Sequence, residues 1–217
     1  MNFLVFLGTE RASTPPRPAR LGERVAAACC RRLDAYGAAH ILVDPLEIDL
    51  PKPFKPHFSY AKGKAPFQLE ELEARIASAD GYVMVSPEYN HSMSPSLAHL
   101  LNHFGSSLFS YKPSAIVTYS AGQWGGARAA VNMRTFLSEL GCLPVSAMVH
   151  VPQAQEVFDG DGAYLAGTDK DRWDTYIDRT IRQLMWWAEA ANRQRASGDL
   201  PAPAAFRSAP SQRNAPD

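Results

Sequence analysis

The first thing this chain lacks is net charge. Lys+Arg and Asp+Glu are equal at 22 each over 217 residues. Without a positive field it has no means of holding nucleic acid or an anionic membrane, and without a negative one it lacks the acidic surface of a charge-docked electron carrier. Cysteine is scarce as well. Cys29, Cys30 and Cys142 show no metal-type spacing, and an odd number without a secretion signal fits a reducing compartment. Cys29 and Cys30 are adjacent in a helical pattern, where neighbours do not face each other, so helix packing is expected of them rather than a disulfide. No apolar run reaches membrane-spanning length. The run at 3–7 is too short for a signal core and has no basic leader before it. A soluble, cytoplasmic protein is expected. The sequence also shows no serine elbow, no Cys/His pairing and no metal box, which leaves no side-chain nucleophile or metal centre to expect.

What is present is an alternation. Apolar content of 46% and this length suit one well-buried domain. Short continuous apolar runs at 3–7, 40–43, 82–86, 114–119 and 144–151 read as buried strands. Between and after them, 21–36, 68–78, 95–108, 125–140 and 170–195 carry helical periodicity. Gly37 and Gly141 stand where helices stop, and Pro95 stands where one starts. Five strands alternating with helices give an α/β, three-layer, doubly wound parallel sheet. Such a five-stranded sheet commonly runs 2-1-3-4-5, with its ligand crevice between strands 1 and 3. The domain is expected over 1–195. Residues 196–217 are rich in Pro, Ala, Ser and Arg, lack a core pattern, and are expected to be a disordered or loosely draped tail.

Three strands end in ligand-type loops. The first, Gly8-Thr9-Glu10-Arg11, leads into a proline-rich stretch and then a helix start, where free amide hydrogens point at whatever the loop holds. Thr9 and Ser13 add hydroxyls; Arg11, Arg17 and Arg20 add charge. A phosphate would satisfy all of these, and an ordinary βα loop with solvated arginines is the other reading. Pro15-Pro16-Arg17-Pro18-Ala19-Arg20 also fits a polyproline peptide ligand, although it lies inside a βα connection. The second loop is Pro87-Glu88-Tyr89-Asn90-His91-Ser92, and the third is Ser120-Ala121-Gly122. In the long proline-rich loop at 46–65, Phe54, Phe58 and Tyr60 either cover a flat ligand, pack on a partner subunit, or pin the loop to the surface. His99 and His103 have a spacing that can hold a metal, but no third ligand accompanies them, so surface or interface histidines are expected.

Gly8-Thr9-x-Arg11, Pro87-Glu88-Tyr89-Asn90-His91-Ser92 and Ser120-x-Gly122-x-x-Gly125-Gly126-x-Arg128-Ala129 together resemble the NADPH-dependent FMN reductases of flavodoxin-like fold. The resemblance covers roughly residues 1–150. It implies that Thr9, Arg11 and Ser13 bind the FMN phosphate with Arg20 assisting. It also implies that Pro87, Glu88, Tyr89 and Asn90 line the flavin and ribityl chain, and that Ser120, Gly122, Trp124, Gly125 and Gly126 edge the ring. His91, Tyr89, Trp124 and Phe58 would contact the substrate. NADPH or NADH would deliver hydride to the flavin, and a small-molecule acceptor (quinone, azo compound, free flavin or metal oxyanion) would take the electrons in a ping-pong cycle. The helix after the Pro-Glu-Tyr-Asn box helps build the family's dimer, so a homodimer or homotetramer is implied. The phosphate loop is longer than the family's usual one by the stretch holding Pro15, Pro16 and Pro18. Two other uses of the fold remain: an electron carrier that uses no nicotinamide, and a regulatory or scaffold protein that takes up no FMN.

Overall fold

The computed structural model describes residues 1–15 and 17–207. The apolar runs form β1 (Asn2–Leu7), β2 (Ala39–Val43), β3 (Gly81–Pro87), β4 (Pro113–Tyr119) and β5 (Leu143–Val151). The helices are α1 (Leu21–Ala35), α2 (Phe67–Ser78), α3 (Pro95–Asn102), α4 (Ser106–Phe109), α5 (Ala127–Leu140), α6 (Ala154–Val157) and α7 (Lys170–Ser197). All strand pairs are parallel and the order is β2-β1-β3-β4-β5, the flavodoxin-like arrangement expected from the alternation. Parallel pairing sends every strand's carboxyl end to one edge. The loops after β1, β3 and β4 therefore emerge side by side.

β3 and β4 are buried at every position, as strands covered on both faces must be. Alternation sorts their side chains. Val5, Leu7, Val83, Val85, Val117 and Tyr119 join the core beneath α1 and α7. Leu4, Phe6, Tyr82, Met84 and Ile116 join the one beneath α2, α3 and α5. β5 is an edge strand, and α7 blunts it: Ala147 N–H donates to Gln183 Oε1 at 2.8 Å and His150 N–H to the Tyr176 hydroxyl at 2.8 Å. Side chains thus occupy hydrogen-bonding groups that an open edge would offer to another chain.

The single helix expected over 95–108 is broken. α3 stops at Asn102, and α4 restarts after Gly105. The break lets Phe109 turn into the core against Tyr82, with ring centroids 5.2 Å apart. The Tyr82 hydroxyl ties α4 to α2, its one hydrogen shared between the carbonyls of Ile76 (2.9 Å) and Leu108 (3.3 Å). Lys112 closes the same region, its ammonium donating to the Ile76 and Ala77 carbonyls at 2.7 Å each; these are orphan acceptors at the end of α2. The three cysteines are free, and burial pushes the Cys30 thiol up to about 11 and Cys142 to about 12. Neither is a thiolate near neutral pH.

The loop from 44 to 66 straps α3. His57 N–H donates to the His103 carbonyl at 2.7 Å. The His57 ring meets Glu70 Oε2 at 3.2 Å, and Ala65 N–H donates to Glu70 Oε1 at 3.0 Å. Phe54 lies over both helix histidines, with centroids 5.5 Å from His99 and 4.6 Å from His103. His103 is therefore fully buried and not the surface or interface histidine its spacing suggested; only His99 is exposed. Burial lowers the His103 pKa, His99 adds to that, and the Lys55 carbonyl opposes it; burial alone lowers that of His150. A neutral histidine with a depressed folded pKa takes up fewer protons than the unfolded chain. Stability is then lost as pH falls from the ordinary histidine range through that lower value. Glu70, held low by His57 and the Ala65 amide, contributes stability that disappears further into acid. Thermal melts should give a lower Tm at pH 5 than at pH 7.5, and the His103→Leu variant should show a smaller difference.

Residues 200–207 of the expected tail lie beside α7, where Phe206 meets Tyr111 edge to face at 5.4 Å. Residues 208–217, and Pro16 of the proline-rich stretch, lie outside the described residues.

Candidate functional site

Where β1 ends, the chain has no room for a side chain. Gly8 N–H donates to the Val85 carbonyl at 2.7 Å, and a Cβ on Gly8 would lie 2.5 Å from that oxygen. The glycine keeps β1 and β3 joined up to the point where Thr9 leaves the sheet. Buried Ser94 ties the same point from the other side. Its hydroxyl donates to the Gly8 carbonyl and accepts from Leu97 N–H at 3.1 Å, capping α3, while its own N–H donates to Ser86 Oγ at 2.9 Å. The floor under the loops is thus fixed by short polar side chains.

The first wall is Thr9, Arg11, Arg20 and Leu21. Arg20 sits in the left-handed region at φ 53 immediately before α1, and no side chain caps the helix. Glu23 N–H returns to the Arg20 carbonyl at 2.9 Å, and the amide of cleft-lining Leu21 has no intrahelical acceptor. The Arg20 guanidinium is already engaged: it donates to Asp44 Oδ1 at 2.7 Å, to the Thr9 carbonyl at 2.9 Å, and to Glu23. Burial works against its charge, and Asp44 and Glu23 more than offset this. Its Nε is buried without a partner. Arg11 is exposed; its side chain donates to the Pro15 carbonyl, and its N–H to Thr9 Oγ1 at 3.3 Å.

The second wall is Pro87, Glu88 and Tyr89. Beyond it, Tyr89 and Ser92 exchange N–H to carbonyl bonds of 3.0 and 2.9 Å, with Asn90 and His91 between them at φ 50 and 62. This is a two-residue turn of the I′ kind, and an asparagine suits it better than a histidine does. Ser92 ties the turn to α5 through Asn132 at 2.9 Å. Glu88 reaches across to the third loop. Its carboxylate accepts from Arg128 Nε at 2.8 Å and from the N–H groups of Arg128 and Ala129 at 3.2 and 3.3 Å. It therefore caps α5, with charge and helix dipole both favourable. Arg128 in turn lies 5.9 Å from the ring centre of exposed Trp124.

The third wall is Tyr119, Ser120 and Ala121. The Ser120 hydroxyl donates to the Gly122 carbonyl at 2.7 Å and accepts from Gly125 N–H at 2.9 Å. Gly125 and Gly126, at φ 61 and 78, are buried against strand ends rather than along the cleft. Cβ atoms there would lie 3.0 Å from Pro152 N and 2.8 Å from Thr118 Cβ.

Thr9, Arg11, Arg20, Pro87, Glu88, Tyr89 and Ser120 thus converge on one cleft of about 200 Å³, as the sequence suggested. Asn90, His91, Gly122 and Trp124 stand beyond its lining, next in chain to residues that form it or on the same loops. Ser13 is exposed and outside it. Phe58 is elsewhere: it neighbours Gly105, past the far end of α3, roughly 12 Å along a helix of that length from the end facing the cleft. It does not line that cleft. Leu21, Tyr119 and Ala121 line the cleft without having been singled out. Tyr119 had a signal, since it is the last residue of a strand that delivers a ligand loop. A larger hollow of about 540 Å³ is lined by Arg31, Arg32, Tyr164 and Asp174, where the Arg32–Asp174 pair bridges α1 to α7, and none of the three loops lines it. Among the described residues no group of three or more His, Cys, Asp or Glu could hold a metal, and no helix is long and apolar enough to cross a membrane.

Hydroxyls, free amides and arginines at one end, and loop backbone with an aromatic residue at the other, suit a phosphorylated ligand with a flat head. The family model for NADPH-dependent FMN reductase matches residues 1–156. The chain belongs to the NADPH-dependent FMN reductase family. It is an FMN-dependent NAD(P)H oxidoreductase on that ground. An NAD(P)H-dependent FMN reductase of Pseudomonas aeruginosa is 34% identical over 132 residues, 59% of this chain and 69% of that protein. A quinone reductase of Escherichia coli is 37% identical over 75 residues, 33% of this chain and 40% of that enzyme. An NADPH azoreductase of a Bacillus species is 34% identical over 70 residues, 32% of this chain and 39% of that enzyme. Among solved structures, a flavoenzyme NAD(P)H:(acceptor) oxidoreductase from Paracoccus denitrificans superposes with a TM-score of 0.65 at 19% identity, covering 87% of this chain and 97% of that one. At that identity the likeness speaks for the fold.

Proposed function

We propose that this reductase passes electrons from NADPH or NADH through FMN in the cleft to a small planar acceptor of the quinone or azo class, in a ping-pong cycle and as a homo-oligomer. The observation that supports it is the convergence of seven residues from three separate loops on one cleft. The donor set fits FMN: Thr9, the start of α1, Arg11 and the orphan Nε of Arg20 suit a phosphate. The cleft is smaller than an ordinary cofactor pocket, so it takes the phosphate and ribityl arm and leaves the ring toward the rim. FMN supplies the redox chemistry when bound.

The chain's own residues position and shield. Gly8 and Ser94 fix the floor, and the loops at 87–89 and 120–121 would border the ribityl arm. Trp124 and His91 stand exposed at the rim, where a planar acceptor would arrive. Because no side chain carries a covalent step, one open face serves both the nicotinamide and the acceptor in turn. Steady-state NADPH oxidation measured against a benzoquinone series tests the cycle. Parallel double-reciprocal lines are expected, and intersecting lines would mean both substrates bind together.

Glu88 organises that rim through Arg128. Glu88→Gln keeps the shape and removes the charge at the start of α5, a loss of about 1 kcal/mol of stability. A lower Tm and several-fold weaker FMN binding by fluorescence titration are the expected readings.

A further inference from the structure

Tyr119 belongs to none of the family motifs, yet it reaches the phosphate end of the cleft. It ends β4 on the face that packs against α1, and it is 4% exposed. A Cβ on Gly22 would lie 2.5 Å from its hydroxyl oxygen, so the phenol rests on the first turn of α1. The Gly22 N–H and the Thr9 hydroxyl both face that oxygen and favour its ionised form, against the stronger effect of burial. Thr9 Oγ1 accepts in turn from Arg11 N–H at 3.3 Å. Three donors from three different elements therefore meet at one point. Burial holds the phenol far above its ordinary ionisation range, so at neutral pH it is a hydroxyl and never a competing anion.

The charged groups nearby are less free than the sequence suggests. Arg20 is spent on Asp44 and Glu23, and Arg11 is exposed and turned to Pro15. With the terminal nitrogens of Arg20 committed and only its Nε left over, close recognition of a phosphate is shared with neutral donors. We propose that Tyr119 is a phosphate-recognition residue of the FMN site, its hydroxyl donating to a phosphate oxygen beside Thr9 and the first amides of α1. This rests on the cleft being the FMN site. Thr9 and Gly22 N–H stay on the acceptor side of the phenol oxygen, so its own hydrogen is the one that turns to the ligand. The consequence is selectivity: Tyr119 favours a flavin monophosphate over the same flavin without its phosphate and does nothing for the ring.

The test is paired titration of FMN and riboflavin, followed by flavin fluorescence, on wild type and Tyr119→Phe. The ring is kept, so the packing beneath α1 survives, and riboflavin affinity reports whether it has. A hydrogen bond to a charged group predicts roughly tenfold or greater weakening of FMN, with riboflavin unchanged. Equal loss for both flavins would make Tyr119 a packing residue, and no loss for either would remove it from the site; both results overturn the inference while leaving the cleft as the FMN site. Failure of the wild type to bind either flavin would instead overturn the assignment of the cleft, and the inference with it.

Discussion

Gly8→Ala should lower Tm by about 10 °C, the equivalent of about 3 kcal/mol for a chain of this size, and should abolish measurable FMN binding. The new methyl would lie 2.5 Å from the Val85 carbonyl oxygen and 3.1 Å from Leu97 Cβ. The first is backbone in the centre of the sheet and cannot swing aside. Relief requires the ends of β1 and β3 to part. That breaks the Gly8–Val85 hydrogen bond and displaces Ser94, whose hydroxyl reaches the Gly8 carbonyl. Thr9 and Pro87 leave the sheet at those same ends, so the cleft widens where it must grip. Differential scanning calorimetry and FMN titration on one preparation read both effects. A variant that melts like wild type and still binds FMN would show that the two strand ends are not held as described.

Arg32→Ala is the second large effect, about 2–3 kcal/mol with the cleft untouched. Arg32 on α1 grips Asp178 with two parallel bonds, Nε to Oδ1 at 2.8 Å and Nη2 to Oδ2 at 2.7 Å, and reaches Asp174 at 2.9 Å. Tyr36 and Tyr164 add hydroxyl donors to the same two carboxylates at 2.8 and 2.7 Å. All three charged side chains are 17–19% exposed, too buried for an ordinary surface pair and too wet for the full cost of a broken buried one. Removing the guanidinium leaves two half-buried carboxylates one turn apart on α7, without their partner from α1. Lysine restores the charge but not the fork, so Arg32→Lys should recover only part of the loss. Urea unfolding gives the numbers, and FMN affinity should be unchanged in both variants.

The fold was readable because each strand is a short apolar run bounded by glycine, proline or asparagine-type breaks, and parallel burial erases any ambiguity of face. The break at Gly105 was not, since Leu100 to Phe109 keeps a helical apolar pattern across it. Tyr82, distant in sequence, supplies the ring and hydroxyl that Phe109 and the Leu108 carbonyl meet after the turn. At the site, the residue types and their loops were legible from local motifs. Their pairings were not. Arg20 looks like a free phosphate ligand until Asp44, 24 residues away, is seen to hold it. Glu88 lines the cleft, but nothing local shows that Arg128 and the start of α5 take its carboxylate. Phe58 looked like a ring cover because a long aromatic loop has many possible courses, and His57 and His103 select the one that leads away from the cleft.

The decisive measurement is the absorbance of the FMN-loaded protein under anaerobic conditions, before and after one equivalent of NADPH and then one of benzoquinone. Loss of the yellow band on the first addition and its full return on the second is the expected result. FMN that is not retained, or that stays oxidised with NADPH and NADH alike, would contradict the assignment of the cleft.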